Sequence, residues 1–322
     1  GARAGPKVPE LIERSIRWAR VAPYVPSRSD PEAASRRDVS TGCAPGRAQR
    51  RSPHSVTAMS DELLYEVDGH VGVIRFNRPD RMNTITPTML HALSRRLIEA
   101  DADRAVRVIV ITGNGRAWCA GLDVGAAASG EGIGGDTTDM GGGEFNLRDA
   151  PPVVLNKIDT PTIAALNGGA AGYGMDLALG CDVRLAADSA KLSAAYTARG
   201  LVPESGGTWL LPRIVGWSKA AELLFTARTL TAAQSLELGL VSSVVPADAL
   251  WDRTIELAGE IAANAPMAVR AAKRMMRHGM TEDFEDHVQR QYLALLPLFA
   301  SQDFREGLAS YLEKRPPEFT GR

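Results

Sequence analysis

One glycine-rich stretch, 166–177 (LNGGAAGYGMDL), constrains the fold of this chain more than any other segment. An apolar run precedes it at 161–165, and a second apolar run, 175–179, follows, which predicts a strand, a tight turn and the start of a buried helix. The turn contains Gly168, Gly169, Gly172 and Gly174. Glycines allow a positive φ or a close approach of the backbone to a ligand, and the helix behind them presents free N–H groups and a positive dipole end. The stretch therefore predicts a corner that holds negative charge.

Two kinds of anion fit such a corner: a phosphate group, or the oxyanion of a reaction intermediate. The stretch lacks the Lys-Ser/Thr pair of a P-loop and does not read G-x-G-x-x-G, so the usual phosphate motifs are missing. An oxyanion hole is the competing interpretation. Motifs elsewhere in the chain are needed to distinguish the two.

The composition excludes several classes of protein. The chain has 322 residues, of which 44% are hydrophobic and 23% charged, and this is typical of a soluble globular protein with one large or two modest domains. A net charge of -1 argues against a nucleic-acid-binding protein, and no apolar run approaches the length of a membrane span. Cys43, Cys119 and Cys181 form no C-x-x-C pair, which predicts a reducing compartment and no zinc site. We expect a cytoplasmic protein.

Residues 1–58 differ in character from the rest of the chain. They are rich in Arg, Pro and Ser and poor in periodic apolar positions, which predicts a mostly disordered arm. An arginine-rich, acid-poor leader is typical of an organelle transit peptide, and the alternative is an upstream extension before a working protein that starts at Met59. We favour the extension.

From Leu63 onward, strands and helices alternate. The predicted strands are 63–67, 71–76, 106–111, 162–166, 182–187, 191–194 and 240–245. The predicted helices of this part are one that starts at Pro87 and is capped near Thr86, 145–158, 207–215, 219–226 and 231–238. The glycine-rich segment 125–143 predicts a mobile loop near the site.

The last quarter of the chain is predicted to be helical, over 249–263, 266–277, 281–296 and 303–314. The fold class is therefore α/β with a C-terminal helical region. We place a core that carries the site at 59–250 and a helical region for oligomerisation and ligand contacts at 251–322.

A series of short motifs resembles one known family. In chain order they are Asn77-Arg78-Pro79, Gly121-x-Asp123, Asn167-Gly168 with Ala171-Gly172-x-Gly174, Cys181-Asp182, 207–216 (GTWLLPRIVG), Gly239-Leu240-Val241 and Glu313-Lys314-Arg315. Together they resemble the crotonase family, the enoyl-CoA hydratase/isomerase group, over about 63–319. The resemblance implies a spiral of ββα units with a helical trimerisation region, a homotrimer or a hexamer built as a dimer of trimers, and acyl-CoA thioester substrates. Coenzyme A is then part of the substrate, with no permanently bound cofactor and no metal.

The resemblance also implies roles for individual residues. The backbone N–H groups of Leu122 and Tyr173 correspond to the two donors that hold the thioester oxygen as it becomes an enolate oxyanion. Residues implied in binding the substrate or its CoA are Arg81, Ala120, Gly121, Asp123, Gly172, Tyr196, Tyr311 and Lys314. Tyr311 and Lys314 fall near the CoA phosphates of a neighbouring subunit in this family.

The general base departs from the hydratase pattern. The two glutamate positions of hydratases correspond here to Asp176, one methylene shorter, and Tyr196, a poor base at neutral pH. Glu204 lies at the position of the single base in isomerases of the family. We therefore expect a shift of a 3-enoyl-CoA double bond to 2-enoyl-CoA with Glu204, and with Asp176 as a further catalytic candidate. The alternatives are hydration of a 2-enoyl-CoA, with Asp176 and Glu204 sharing the work, and a non-catalytic acyl-CoA-binding protein.

Overall fold

The computed structural model describes residues 61–123 and 147–322. The predicted arm at 1–58 and the predicted loop at 125–143 lie outside the described residues. None of the helices in the described ranges has the length and apolar character needed to cross a membrane.

Ten strands in the described residues form two sheets. They are β1 (Leu63–Asp68), β2 (Val71–Phe76), β3 (Val108–Gly113), β4 (Ala117–Cys119), β5 (Thr162–Leu166), β6 (Gly169–Ala171), β7 (Val183–Ala187), β8 (Lys191–Ser193), β9 (Thr229–Thr231) and β10 (Ser243–Val245). The larger sheet has the order β1-β2-β3-β5-β7-β10, and the smaller one has the order β4-β6-β8-β9. The outer pairs β1–β2 and β8–β9 are antiparallel, and the other pairs are parallel.

Ten helices are found in the described ranges. They are α1 (Pro87–Ala102), α2 (Pro151–Lys157), α3 (Tyr173–Gly180), α4 (Gly207–Val215), α5 (Trp217–Thr226), α6 (Ala232–Glu237), α7 (Leu250–Ala262), α8 (Pro266–Gly279), α9 (Phe284–Phe299) and α10 (Gln302–Glu313). Three short 3-10 turns lie at Pro79–Arg81, Leu147–Asp149 and Thr197–Arg199.

The chain alternates between the two sheets. Each of the strands β3, β5 and β7 of the larger sheet is followed directly by a three-residue strand of the smaller sheet, namely β4, β6 and β8. A helix follows β4 and another follows β6, so this stretch is a spiral of strand-strand-helix units. The predicted α/β class with a helical C-terminal region is confirmed.

Strand β3 shows why the strands of the larger sheet have apolar sequences. It is buried along its whole length. Its alternate side chains belong to two separate cores, because Ile109 and Ile111 pack on one face while Val108 and Val110 pack on the other. Helix α7 covers the second face with residues such as Ala258. The first helix of the C-terminal quarter thus packs on the central sheet, whereas the boundary that we set at residue 250 stays a prediction.

Several local predictions agree with the structure, and several element boundaries differ. Thr86 caps α1, since its hydroxyl accepts a hydrogen bond from the N–H of Met89 at 3.2 Å. The helix predicted over 145–158 is shorter, because α2 begins only at Pro151 and the preceding Ala150 is extended with ψ 143°. The strand predicted over 240–245 begins at Ser243.

The smaller sheet was missed by the sequence patterns. Its strands β4, β6, β8 and β9 have three residues each, and only β8 was predicted. Gly168 directly precedes β6, and Gly169 is its first residue. A Cβ on Gly168 would overlap the carbonyl oxygen of Arg116, whereas a Cβ on Gly169 would meet nothing within 4 Å. Neither glycine has a positive φ. Gly168 is therefore required by space and not by backbone conformation.

These adjacent glycines form a matched pair for a stability test. We expect Gly168→Ala to destabilise the protein by about 1–3 kcal/mol, because overpacking forces the backbone apart. Gly169→Ala should stay within about 0.5 kcal/mol of the wild type. Urea unfolding of the two variants measures the difference, and equal free energies of unfolding would contradict the packing account.

Candidate active site

The first predicted oxyanion donor lies at the head of α3. Gly172 precedes this helix in a conformation with φ 53° and ψ -125°, and the helix begins at Tyr173. The N–H of a first helical residue has no acceptor within its own helix. Gly174 lies against strand β4, because a Cβ there would overlap the carbonyl oxygen of Cys119. The head of α3 is thus seated directly on the backbone of β4.

The second predicted donor, Leu122, lies in the loop that follows β4. Ile85 forms a parallel β-bridge with Leu122. The N–H of Ile85 donates to the carbonyl of Gly121 at 2.8 Å, and the carbonyl of Ile85 accepts a hydrogen bond from the N–H of Asp123 at 3.0 Å. In parallel pairing, the N–H of the residue between these two bonds points away from the partner strand. The N–H of Leu122 is therefore directed away from Ile85.

Gly121 brings the two donor segments together. Its φ is 96°, and a Cβ there would lie 2.8 Å from the carbonyl oxygen of Ala171 and 3.5 Å from the backbone nitrogen of Tyr173. Only glycine fits this approach. The segments that carry the Leu122 and Tyr173 N–H groups are consequently adjacent.

The loop that presents Leu122 is anchored by an ion pair. The guanidinium of Arg78 lies 3.0 Å from the carboxylate of Asp123 and 3.1 Å from that of Glu62. The hydroxyl of Thr84 also donates to Asp123 at 3.3 Å. Asp123, predicted among the substrate-binding residues, thus has a structural contact that stabilises its own loop.

Asp176 lies inside a compact polar cluster. Its Oδ2 accepts hydrogen bonds from the hydroxyls of Tyr196 at 2.8 Å and Ser205 at 2.7 Å, and from the N–H of Gly207 at 3.1 Å. Burial raises the pKa of Asp176 to about 6; the three hydrogen bonds work in the opposite direction, and the nearby charge of Glu204 raises it further.

Tyr196 is a donor in this cluster and not a base. Burial raises the pKa of its hydroxyl, and the charge of Asp176 raises it further. The hydroxyl therefore stays protonated at neutral pH. Tyr196, which the resemblance aligns with the second glutamate of hydratases, thus cannot accept a proton from water.

Glu204 lies in the turn before α4, where Gly206 has a φ of 99°. The residue is solvent-exposed, yet partial burial of its carboxyl raises the pKa, against a hydrogen bond from its own backbone N–H. Burial is the largest cause of the raised pKa of the Tyr173 hydroxyl, and the charge of Glu204 is the second largest. The charge of Glu204 also raises the pKa of Asp176. Its charge thus acts on the side chains of two residues of α3, Tyr173 and Asp176.

The other predicted binding residues lie around this centre or on the surface. The N–H of Ala120 donates to the carbonyl of Met82 at 3.0 Å, which fixes the start of the Leu122 loop. Arg81 is exposed at the end of a 3-10 turn. Tyr311 is 82% exposed on α10, and Lys314 follows that helix with φ 55°. The roles of these four residues stay predictions.

Sequence reasoning missed two members of the cluster, Ser205 and Gly207. A serine and a glycine in a turn before a helix are typical of ordinary capping, so nothing local marked them. Within the described ranges, no group of three or more His, Cys, Asp and Glu side chains is arranged to hold a metal ion.

Comparison with known proteins identifies the family. The sequence model described as enoyl-CoA hydratase/isomerase matches residues 66–322. A 1,2-epoxyphenylacetyl-CoA isomerase from Escherichia coli is 34% identical, with 82% of this chain and 100% of that protein covered. A 2,3-dehydroadipyl-CoA hydratase from the same organism is 33% identical, with 81% of this chain and 99% of that protein covered.

Solved structures agree with the sequence comparison. The crystal structure of an enoyl-CoA hydratase from Bacillus anthracis is similar with a TM-score of 0.73 at 34% sequence identity, and the match covers 81% of this chain and 100% of that one. The matched region includes the two donor segments, the Asp176 cluster and Glu204. The chain belongs to the enoyl-CoA hydratase/isomerase family, within the crotonase superfamily.

Proposed function

We propose that this enzyme shifts the double bond of a 3-enoyl-CoA thioester to give the 2-enoyl-CoA, with Glu204 as its single base. The observation that supports the proposal is a difference in hydrogen bonding and protonation among the candidate catalytic side chains. Oδ2 of Asp176 is occupied by three donors and Tyr196 is held protonated, whereas the hydrogen bond that reaches the Glu204 carboxyl comes from its own backbone. One carboxylate suffices for a double-bond shift, and hydration in this family uses two.

The proposed reaction moves one proton and leaves the atoms of the substrate unchanged in number. Glu204 removes a proton from C2, and the electron pair of that C–H bond passes into the thioester, whose oxygen becomes negatively charged. The N–H groups of Leu122 and Tyr173 donate to this oxygen in the dienolate. Glu204 then returns its proton to C4 while the new double bond forms between C2 and C3. Each backbone donor of this kind contributes about 3–4 kcal/mol of transition-state stabilisation.

The remaining residues would hold the CoA part of the substrate. Ala120 and Gly121 directly precede Leu122 in the chain, and Arg81 precedes Met82, whose carbonyl accepts the N–H of Ala120. Tyr311 and Lys314 lie at the exposed end of α10 and would act across a subunit boundary in a homotrimer or a dimer of trimers. No permanently bound cofactor or metal takes part in the proposed reaction, which needs only proton transfer.

Hydration of a 2-enoyl-CoA is the second candidate function. Two observations favour it: several relatives carry hydratase names, and Asp176, with a pKa of about 6, lies near Glu204. An assay with a 2-enoyl-CoA and water as the only co-substrate separates the candidates. Loss of the 2-enoyl absorbance with formation of a 3-hydroxyacyl-CoA supports hydration, and formation of the 2-enoyl absorbance from a 3-enoyl-CoA supports the isomerase.

The first prediction for this function concerns Glu204→Gln. We expect kcat with a 3-enoyl-CoA to fall by about 100- to 10,000-fold, because the variant lacks the base, whereas calorimetric binding of CoA stays unchanged. Glu237→Gln, an exposed glutamate of α6, is the matched control and should keep full activity. Wild-type turnover in Glu204→Gln would sink the assignment, and tight acyl-CoA binding without turnover by the wild type would favour a binding protein.

The second prediction concerns pH. Partial burial raises the pKa of Glu204 above its ordinary value of 4.5, and the base works only when ionised. We expect kcat/KM to fall as the pH drops, with a midpoint above 4.5. The measurement is a profile from pH 4 to pH 8 with enzyme stability checked at each point. A profile that stays flat down to pH 4 contradicts the role of Glu204.

A further inference from the structure

Asp176 has more partners than a freely acting acid or base would have. Its Oδ2 receives the Tyr196 and Ser205 hydroxyls and the Gly207 N–H, and the two hydroxyls contact each other at 2.7 Å. The residue is 3% exposed. A Cβ on Gly207 would overlap both carboxylate oxygens, so the backbone of α4 closes over the group. We call these four residues the Asp176 clamp.

The partners of Asp176 flank Glu204 on both sides in the chain. Ser205 follows Glu204 directly, and Gly207 is the first residue of α4. On the other side, the carbonyl of Tyr196 accepts the N–H of Leu201 at 3.1 Å, which closes the segment that leads into the turn. The clamp therefore holds the turn that carries Glu204 from both ends.

The same helix carries the clamp and an oxyanion donor. Asp176 lies three residues after Tyr173 in α3, which is less than one helical turn of about 5.4 Å. A helix is rigid over that distance. The carboxylate of Asp176 thus links the base-bearing turn to the group that would hold the thioester oxygen.

We propose that the Asp176 clamp sets the position of Glu204 relative to the Tyr173 N–H, so that Asp176 acts through Glu204 and not on the substrate. This inference rests on the proposed function, in which Glu204 is the base. Proton transfer requires a carboxylate oxygen within about 3 Å of its target, and a misplacement of about 1 Å can lower the rate about 100-fold. The clamp supplies this precision.

The charge of Glu204 also acts on the clamp, since it raises the pKa of Asp176. The pKa of Glu204 itself is raised by burial and lowered by a hydrogen bond from its own backbone N–H, so Asp176 acts on Glu204 through position. The other titratable groups near Asp176 are the hydroxyls of Tyr173 and Tyr196, and burial raises the pKa of both, so they stay neutral.

The first arm of the test is Ser205→Ala, which removes the hydroxyl beside Glu204. We expect kcat with a 3-enoyl-CoA to fall by about 10- to 100-fold, while KM stays within about twofold, because substrate contacts remain and only the base moves. Ser243→Ala is the matched control. The Ser243 hydroxyl is also buried and has no hydrogen-bond partner among the described residues, so its removal should leave kcat unchanged.

The second arm is Asp176→Asn, which keeps the shape of the side chain and removes its charge. We expect kcat to fall while KM stays within about twofold, because the turn of Glu204 loses the carboxylate that accepts from Tyr196, Ser205 and Gly207. The midpoint of thermal unfolding at pH 7.5 should not fall, because the variant no longer buries a charged group. A merely structural role would lower the unfolding midpoint and leave kcat of the folded enzyme unchanged.

The outcomes separate this inference from the proposed function. Inactive Glu204→Gln, with Ser205→Ala and Asp176→Asn at wild-type kcat, overturns the clamp and leaves the proposed function intact. Full activity of Glu204→Gln overturns the proposed function, and the inference with it. A lowered kcat with constant KM in both Ser205→Ala and Asp176→Asn supports the clamp.

Discussion

The site depends on the close contact between the head of α3 and the backbone of β4. Gly174 lies so near the carbonyl of Cys119 that no side chain fits between them, and a Cβ on Gly121 would lie 2.8 Å from the carbonyl oxygen of Ala171. These two contacts place the segments of Leu122 and Tyr173 side by side. Backbone N–H groups fixed in this way need no reorganisation when charge develops on a substrate oxygen, and this preorganisation is what gives such donors their value in catalysis.

A second constraint is the burial of Asp176. A carboxylate taken out of water is costly unless hydrogen bonds replace its hydration, and here Tyr196, Ser205 and Gly207 supply them. At the two positions where the resemblance implies the glutamates of a hydratase, this chain has Asp176 and a tyrosine that donates to it. The carboxylate left with access to solvent is Glu204, on the adjoining turn. The division of labour in the proposed reaction follows from this difference in environment.

Local signals in the sequence were sufficient for much of the fold. The Thr86 cap, the hairpin of β1 and β2 and the fully buried strand β3 were predictable because each depends on neighbouring residues. Strands β4, β6 and β9 were not, because three residues carry no periodicity and their pairing joins distant parts of the chain. The resemblance to the family supplied the two donors and Glu204. It could not supply the bond between Ser205 and Asp176, which are 29 positions apart and are joined only by the folding of α3 against α4.

In the proposed reaction, Glu204 faces a substrate held by the Leu122 and Tyr173 N–H groups. A crystal structure of the Glu204→Gln variant with a 3-enoyl-CoA bound tests this arrangement. We predict the thioester oxygen about 2.7–3.1 Å from both backbone nitrogens, and the side chain at position 204 within about 3 Å of C2. A thioester oxygen bound elsewhere, or C2 nearer to Asp176 than to position 204, would contradict the account.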